Sequence, residues 1–162
     1  IPKANYIEVF DNSNINLQHS VSAMVCFKNG VPSKNDYRKF NLETNDIKSD
    51  FHFMKEVIYR RYSRLLENKA VLPDLIIVDG GIIQINAALS SLNELGIKSI
   101  PLIGLKKDDH HNTNCIVLPS GDEKYLDKKS PAFLFLKNLQ DEVHRYAISF
   151  YRSKHLKNFL KR

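Results

Sequence analysis

The chain has 162 residues, of which 43% are hydrophobic and 26% are charged, proportions that are typical of a globular protein. That length favours one domain, residues 1–162, with enough chain to bury a sizeable core. No window approaches the roughly 18 consecutive apolar residues of a membrane span, and no secretory signal pattern opens the chain. We therefore expect a protein of the cytoplasm without membrane contact. Because the chain begins at Ile1 and not at methionine, we also expect a fragment of a longer, multidomain protein.

Positive charge is concentrated at one end of the sequence. The net charge is +6, and residues 124–162 contain ten Lys or Arg against three Asp or Glu, so that the rest of the chain sums to about −1. A second cluster, "YRRYSR" at 59–64, places three arginines among tyrosines. Basic surfaces attract phosphate backbones without reading sequence, although many charged faces are merely solvated. The distribution favours a polyanionic partner such as nucleic acid.

The first third of the chain predicts an antiparallel sheet followed by a helix. "YIEVFD" at 6–11 alternates strictly, so that Asp11 ends the run on its apolar face. An apolar run at 20–27 and a second alternating run at 36–42 complete a meander of three strands. From Asp50, the predicted N-cap, apolar residues recur at helical spacing.

The rest of the chain alternates strands and helices. The predicted elements are a continuously apolar strand at 75–79, a helix at 82–95, a strand at 100–105, a short strand at 115–118 and a long helix after Ser130 and Pro131. This order predicts an α/β fold with a mixed sheet, in which three antiparallel strands precede the parallel ones and helices flank the sheet. Ribonuclease H-like folds have this order, and in them the first and fourth strands lie side by side.

Two carboxylates are candidates for a metal site. Asp79 follows a central strand and precedes Gly80 and Gly81, so it either caps the next helix or binds a ligand at the carboxyl end of the sheet. A nucleotide site is excluded because the chain has no phosphate-binding GxxxxGK[ST] or GxGxxG loop. Asp11, in "FDNSN", either forms an Asx turn or pairs with Asp79. Two converging carboxylates stay ionised when a divalent cation lies between them.

Two further side chains could assist that chemistry. His144, in "DEVHRYA", lies at the edge of the apolar stripe of the last helix, where it is either a packed residue or a third ligand and proton-transfer group. Lys107, unlike Lys106, shares a strand face with the preceding apolar residues, and it could neutralise charge on a phosphate. The loop "DDHH" at 108–111 resembles a metal box, but four adjacent residues cannot all face one ion.

The sequence resembles that of a known family. Its segments fall in the order and spacing of the C-terminal endonuclease domain of UvrC, the nuclease subunit of the bacterial excision-repair enzyme: "FDNSN", "YRKF", "MKEVIYRRYSR", "LPDLIIVDGG", "QINAAL", "GLKKD" and "SPAFLFLKNLQDEVHRYAISF". The resemblance runs from about Asn5 to Arg152. It implies a ribonuclease H-like fold and a metal-dependent endonuclease that makes the incision on the 5′ side of a DNA lesion.

The resemblance also implies specific site residues. The family's Asp-Asp-His triad falls on Asp11, Asp79 and His144, which would hold Mg²⁺ or Mn²⁺, and its catalytic lysine falls on Lys107. Together with the basic last helix, the matching motifs predict that the DNA backbone is held by Arg38, Arg60, Arg61, Arg145, Arg152 and Lys154. The implied partners are damaged double-stranded DNA and UvrB, the latter through a segment outside this chain, with no small-molecule cofactor.

The chain departs from the family pattern at a few positions. Ile82 and Ile83 stand where the family usually has Lys and Gly, and Tyr151 stands where it has His. The missing lysine predicts weaker phosphate binding beside Asp79. The alternative to a nuclease is a non-catalytic ribonuclease H-like module that binds DNA or a repair partner. A simple ribonuclease H is disfavoured because its several clustered carboxylates are not visible.

Overall fold

The computed structural model describes the backbone of residues 4–14, 19–43 and 49–160, and the side chains of residues 4–12, 21–42 and 49–149. Its strands are β1 (Tyr6–Asn14), β2 (His19–Lys28), β3 (Val31–Pro32), β4 (Arg38–Glu43), β5 (Leu75–Asp79), β6 (Leu102–Lys107), β7 (Thr113–Val117) and β8 (Glu123–Lys124). Its helices are α1 (Asp50–Glu67), α2 (Ile82–Glu94) and α3 (Pro131–Leu160). None of these helices is long and apolar enough to cross a membrane.

The strands form one mixed sheet in the order β3-β2-β1-β5-β6-β7-β8, and β4 pairs with β2. β1, β5 and β6 are parallel to one another, whereas the outer pairings are antiparallel. The predicted ribonuclease H-like arrangement is therefore confirmed, including the pairing of the first strand with the strand at 75–79. Parallel neighbours require long crossovers, and the crossovers here contain α1 and α2.

Helices cover both faces of the sheet, and the alternation of β1 decides which side chain meets which helix. Phe10 belongs to the core formed with α1 and α2, whereas Val9 belongs to the core formed with α3. Successive side chains of a strand point to opposite faces, so Asp11 lies on the α3 side and Glu8 on the α1 side. The two cores are continuous apolar layers, which explains the unbroken apolar sequence of β5.

The N-cap of α3 agrees with the sequence prediction, whereas the N-cap of α1 differs from it. α3 begins at Pro131, and the amide of Phe133 donates a hydrogen bond of 3.2 Å to Oγ of Ser130, as predicted for this cap. The prediction that Asp50 caps α1 is wrong. Ser49 is the N-cap, and its Oγ accepts a hydrogen bond of 3.4 Å from the amide of His52.

Candidate active site

Asp11 and Asp79 lie at the same end of two neighbouring parallel strands. The ladder between β1 and β5 pairs Ile7–Phe10 with Leu75–Val78, so the next residue of each strand is one of the two aspartates. Asp11 is not a turn residue, because β1 continues to Asn14 while pairing only with β2. The strand outlasts the parallel ladder, and Asp11 is buried on the α3 side with 6% of its surface exposed.

Asp79 does not cap α2. The residue before that helix is Gly81, whose amide donates a hydrogen bond of 3.2 Å to Oε1 of Gln84. Gly80 has φ +146°, and a Cβ at that position would lie 2.6 Å from Gln84 Oε1. Glycine at position 80 is therefore needed for the turn and for this cap. The space around Gly81 is open. The interpretation of Asp79 as a helix cap is wrong, and its carboxylate points instead to the end of the sheet.

The two carboxylates influence each other strongly. Burial and the charge of Asp11, with which Asp79 shares a hydrogen bond, raise the pKa of Asp79 to about 6. Lys107 and Gln140 act in the opposite direction, but they do not offset burial and repulsion. Two carboxyl groups that lie side by side at the ends of paired strands cannot both ionise freely without a positive charge beside them. The pair is thus an anionic centre that lacks full compensation from the described side chains.

His144 reaches this centre from α3. Its Nδ1 lies 3.5 Å from Oδ2 of Asp11, and 53% of its side chain is exposed. The hydrogen bond with Asp11 raises the pKa of His144 above its usual value. His144 is therefore neither a packed core residue nor a remote one: it can hold a proton between the carboxylate and solvent.

Lys107 lies beside Asp79, as the alternation of β6 predicts. Its Nζ is 3.6 Å from Oδ2 of Asp79. Lys106 faces the other way, and its Nζ is 3.0 Å from Oε1 of Glu123. The register with β7 shifts between these two lysines, from Cys115 to Thr113, so the extra residue lies in β7 and β6 keeps its alternation. The structure thus brings Asp11, Asp79, His144 and Lys107 together.

Two buried polar residues that the sequence analysis did not assign to the site also reach it. Nε2 of Gln140 donates a hydrogen bond of 2.7 Å to Oδ1 of Asp79, and the hydroxyl of Thr113 donates to Oε1 of Gln140. Gln140 is 1% exposed and Thr113 5%. The available signal was spacing: Gln140 precedes His144 by four residues, so both lie on one face of α3.

Among the described residues, no group of three or more His, Cys, Asp or Glu side chains is arranged to hold a metal ion. Asp11 and Asp79 lie side by side and His144 approaches Asp11, so the assignment of His144 as a third metal ligand stays a prediction. In the loop at 108–111, Oδ1 of Asp108 accepts hydrogen bonds from the amides of His110 and Asn112, so this carboxylate stabilises a turn.

Arg61 does not lie on a DNA-binding surface. It is 7% exposed, and its guanidinium donates hydrogen bonds of 2.6 and 3.3 Å to the carboxylate of Glu8. Glu8 is fully buried and also accepts a hydrogen bond of 2.8 Å from Tyr62. The prediction for Arg61 is wrong, because a buried carboxylate requires a cation and donors, and this arginine supplies them inside the core.

The other predicted DNA contacts with described side chains are exposed. Arg38 donates to the backbone oxygens of Asn35 and Tyr37, and Arg60 is paired with Glu56 at 2.6 Å. Arg145 is paired with Glu142 through hydrogen bonds of 2.6 and 2.9 Å. These contacts leave the guanidinium groups at the surface, where a phosphate can compete for them. Arg152 and Lys154 belong to α3, but their side chains lie outside the described residues.

A further cation, Lys39, lies on the same face of the sheet as Asp11, two strands away from it. Asp11 pairs with Ala23 of β2, and Ala23 pairs with Lys39 of β4. Directly paired residues share a face, and two strand spacings amount to about 10 Å. Lys39 holds its Nζ 4.8 Å from the ring centre of Tyr146 on α3. This row of paired residues therefore leads from Asp11 to a lysine that lies over the ring of Tyr146.

Comparisons with known proteins agree on one family. The sequence model of the UvrC RNase H endonuclease domain matches residues 1–148. The chain is 54% identical over 158 residues to UvrABC system protein C of Ureaplasma parvum, and 55% identical over 153 residues to that of Malacoplasma penetrans. These matches cover 98% and 94% of this chain but 27% and 26% of the relatives. The chain thus spans about a quarter of the length of these curated relatives.

Among solved structures, human ENDOV is similar to this chain with a TM-score of 0.54. The match has 10% sequence identity and covers 95% of this chain and 87% of that one. At this identity the likeness concerns the fold alone.

Proposed function

The chain belongs to the UvrC RNase H endonuclease domain family, and we propose that it makes the metal-dependent incision on the 5′ side of a DNA lesion in bacterial nucleotide excision repair. One observation carries the proposal: Asp11 and Asp79 converge at the end of the parallel strands, with His144 and Lys107 at 3.5 and 3.6 Å from them. A residue set of this kind suits phosphodiester hydrolysis better than ligand recruitment alone.

The carboxylate pair fits a hard divalent cation. Mg²⁺ and Mn²⁺ prefer oxygen ligands, and the raised pKa of Asp79, due to burial and the charge of Asp11, supports a site that a cation would neutralise. Asp11 and Asp79 are the proposed ligands. When bound, the ion supplies activation of a water molecule and stabilisation of charge on the scissile phosphate.

The remaining residues have separate tasks in this proposal. The ammonium group of Lys107 lies on the Asp79 side, where it stabilises negative charge on a phosphate oxygen. His144 holds a proton beside Asp11 and, being half exposed, exchanges protons with the reacting groups and with solvent. The exposed Arg38, Arg60 and Arg145, together with Arg152 and Lys154, bind the DNA backbone and position it without reading bases.

The biological setting follows from the family. The proposed substrate is damaged double-stranded DNA in the bacterial cytoplasm. Binding to UvrB is assigned to parts of the full-length protein outside this chain, since the chain spans about a quarter of its relatives. No small-molecule cofactor is needed for the proposed reaction.

Incision by the full-length protein tests the proposal. Asp11→Asn and Asp79→Asn should each reduce 5′ incision of a lesion-bearing duplex to background while DNA binding persists. Asp141→Asn, an equal change of charge at an exposed residue of α3, is the matched control and should cut normally. If both site variants incise normally, the domain is a non-catalytic binding module. Activity that is equal with and without Mg²⁺ or Mn²⁺ would contradict the metal dependence.

A further inference from the structure

We propose that Gln140 is a positioning residue for Asp79, that Thr113 anchors the Gln140 amide by donating to its Oε1, and that this pair sets the affinity of the carboxylate site for a divalent cation. The inference deepens the proposed function and rests on Asp79 being a ligand. It concerns a contact between α3, β7 and the end of β5, not a group that reacts.

The hydrogen-bond partners permit only one orientation of the Gln140 amide. One end of the amide faces Oδ1 of Asp79 at 2.7 Å and the carbonyl oxygen of Leu105 at 3.1 Å. A carbonyl oxygen and an ionised carboxylate only accept hydrogen bonds, so this end is the NH₂ group. The other end, Oε1, therefore faces the hydroxyl of Thr113, which donates to it. Each polar atom of the amide then has a partner suited to it.

Burial makes this arrangement rigid. Gln140 is 1% exposed and Thr113 is 5% exposed, so water cannot replace a lost partner cheaply. Turning the amide by 180° would place Oε1 against the Leu105 carbonyl and against Asp79, which is unfavourable at both contacts. The Leu105 carbonyl and Asp79 therefore exclude the wrong orientation, the Thr113 hydroxyl satisfies Oε1, and the amide of Gln140 holds one oxygen of Asp79.

The held oxygen leaves the other one directed to the site. Oδ2 of Asp79 is the atom that lies 3.6 Å from Nζ of Lys107. On the same face of α3, four residues later, His144 lies 3.5 Å from Oδ2 of Asp11. Asp79 thus has the buried Gln140 as its partner on α3, and Asp11 has the exposed His144. Groups behind metal ligands fix the orientation of the ligand, and their loss typically weakens metal binding about 10- to 100-fold.

The test compares four variants of the 162-residue chain. Gln140→Met keeps the length of the side chain and removes the amide. Thr113→Val keeps the shape and removes the hydroxyl, whereas Thr113→Ser keeps the hydroxyl and is the conservative control. Asp79→Asn removes the proposed ligand. The probe is Mn²⁺ alone, with the dissociation constant measured by electron paramagnetic resonance and with the crystal structure of each metal-free variant.

We expect Gln140→Met and Thr113→Val to raise the Mn²⁺ dissociation constant about 10-fold or more, and Thr113→Ser to leave it near that of the parent chain. In the metal-free crystals, the Asp79 carboxylate should be rotated in Gln140→Met and unchanged in Thr113→Ser. The inference is overturned if Asp79 keeps its orientation in Gln140→Met, or if that variant binds Mn²⁺ as the parent does while Asp79→Asn does not.

These outcomes separate the inference from the proposed function. If Asp79→Asn binds Mn²⁺ as tightly as the parent chain, the metal-ligand assignment of Asp79 fails. The orientation of Asp79 in the metal-free crystals still decides whether Gln140 positions it. If Gln140→Met and Thr113→Val merely lose stability, with unchanged Mn²⁺ affinity and an unchanged Asp79, Gln140 and Thr113 are core residues only.

Discussion

Nδ1 of His144 lies 3.5 Å from Oδ2 of Asp11, so the last helix delivers a titratable group to the first strand. The contact is the largest cause of the raised pKa of His144, with burial and Lys107 opposing it and Asp79 adding to it. Asp11 therefore controls the protonation of a residue that is 133 positions away in the sequence.

The titration of His144 gives the first prediction. Removing the charge of Asp11 by Asp11→Asn should lower the pKa of His144 towards its usual value of about 6.5, because the hydrogen bond to a carboxylate is lost. Histidine ring proton shifts in NMR spectra recorded against pH measure it. Asp141→Asn, three residues from His144 on the same helix, should leave the titration unchanged. Equal midpoints for the parent and Asp11→Asn would contradict the contact.

The second prediction concerns stability against pH. The folded pKa of Asp79 is about 6, above its ordinary value of 3.8, so the folded chain keeps a proton that the unfolded chain releases. The free energy of unfolding should therefore fall as pH rises from about 4 to about 6. Asp79→Asn removes this loss, and the variant should be more stable than the parent by about 3 kcal/mol at pH 7 but not at pH 4.

Urea unfolding at both pH values measures the difference. Asp141→Asn is the control, because its side chain is 63% exposed and is paired with Lys137 on the helix surface. A variant Asp79→Asn that is less stable than the parent at pH 7 would show that burial of the Asp79 charge and its repulsion by Asp11 are not the dominant cost.

Neighbouring arginines of α1 should differ in what they do. Arg61→Ala leaves the carboxylate of Glu8 buried without its cation, and we expect a loss of about 3–5 kcal/mol in the free energy of unfolding. Arg60→Ala removes an exposed pair with Glu56, which should cost less than about 1 kcal/mol.

DNA binding should show the reverse order for the same two residues. Arg60→Ala should weaken binding to duplex DNA and reduce the salt dependence of the binding constant by about one ion. Fluorescence anisotropy at several salt concentrations, with folding checked by circular dichroism, measures both effects. If Arg60→Ala binds DNA like the parent, α1 does not belong to the binding surface.

The last prediction concerns the isoleucine that replaces a family lysine. Ile82 is 39% exposed at the start of α2, next to the open space around Gly81. Ile82→Lys should tighten DNA binding and increase its salt dependence by about one ion, because it adds a cation beside Asp79. A cation at a helix N-terminus is slightly unfavourable, so stability should fall by about 0.5 kcal/mol.

A cation placed at the opposite end of β5 is the control for this variant. Val71, 78% exposed, precedes β5 and lies away from the carboxyl end of the strand. Val71→Lys should change DNA affinity much less than Ile82→Lys does. Equal gains from the two variants would mean that net charge, not position, governs binding.

Local patterns in the sequence were sufficient to predict the sheet and the strand faces of two site residues, Asp11 and Lys107. The alternation of β1 put Asp11 on an apolar face, and the alternation of β6 distinguished Lys107 from Lys106, because a strand turns successive side chains to opposite sides. The order of strands and helices matched that of ribonuclease H-like folds, and this likeness predicted that β1 and β5 are neighbours. These predictions need only residues that are close along the chain.

Residues separated by long stretches of chain decided the rest. Arg61 looked like part of a basic surface, and only its pairing with Glu8, 53 residues away, put it in the core. Asp79 had two equal local interpretations until the described contacts of Gln140, 61 residues away, and of Lys107 placed its carboxylate at the sheet end. Periodicity fixes the direction of a side chain within its own element, whereas the identity of its partner depends on which elements the fold packs together. The sequence by itself therefore determined the elements and their faces, and the tertiary structure determined which charges meet.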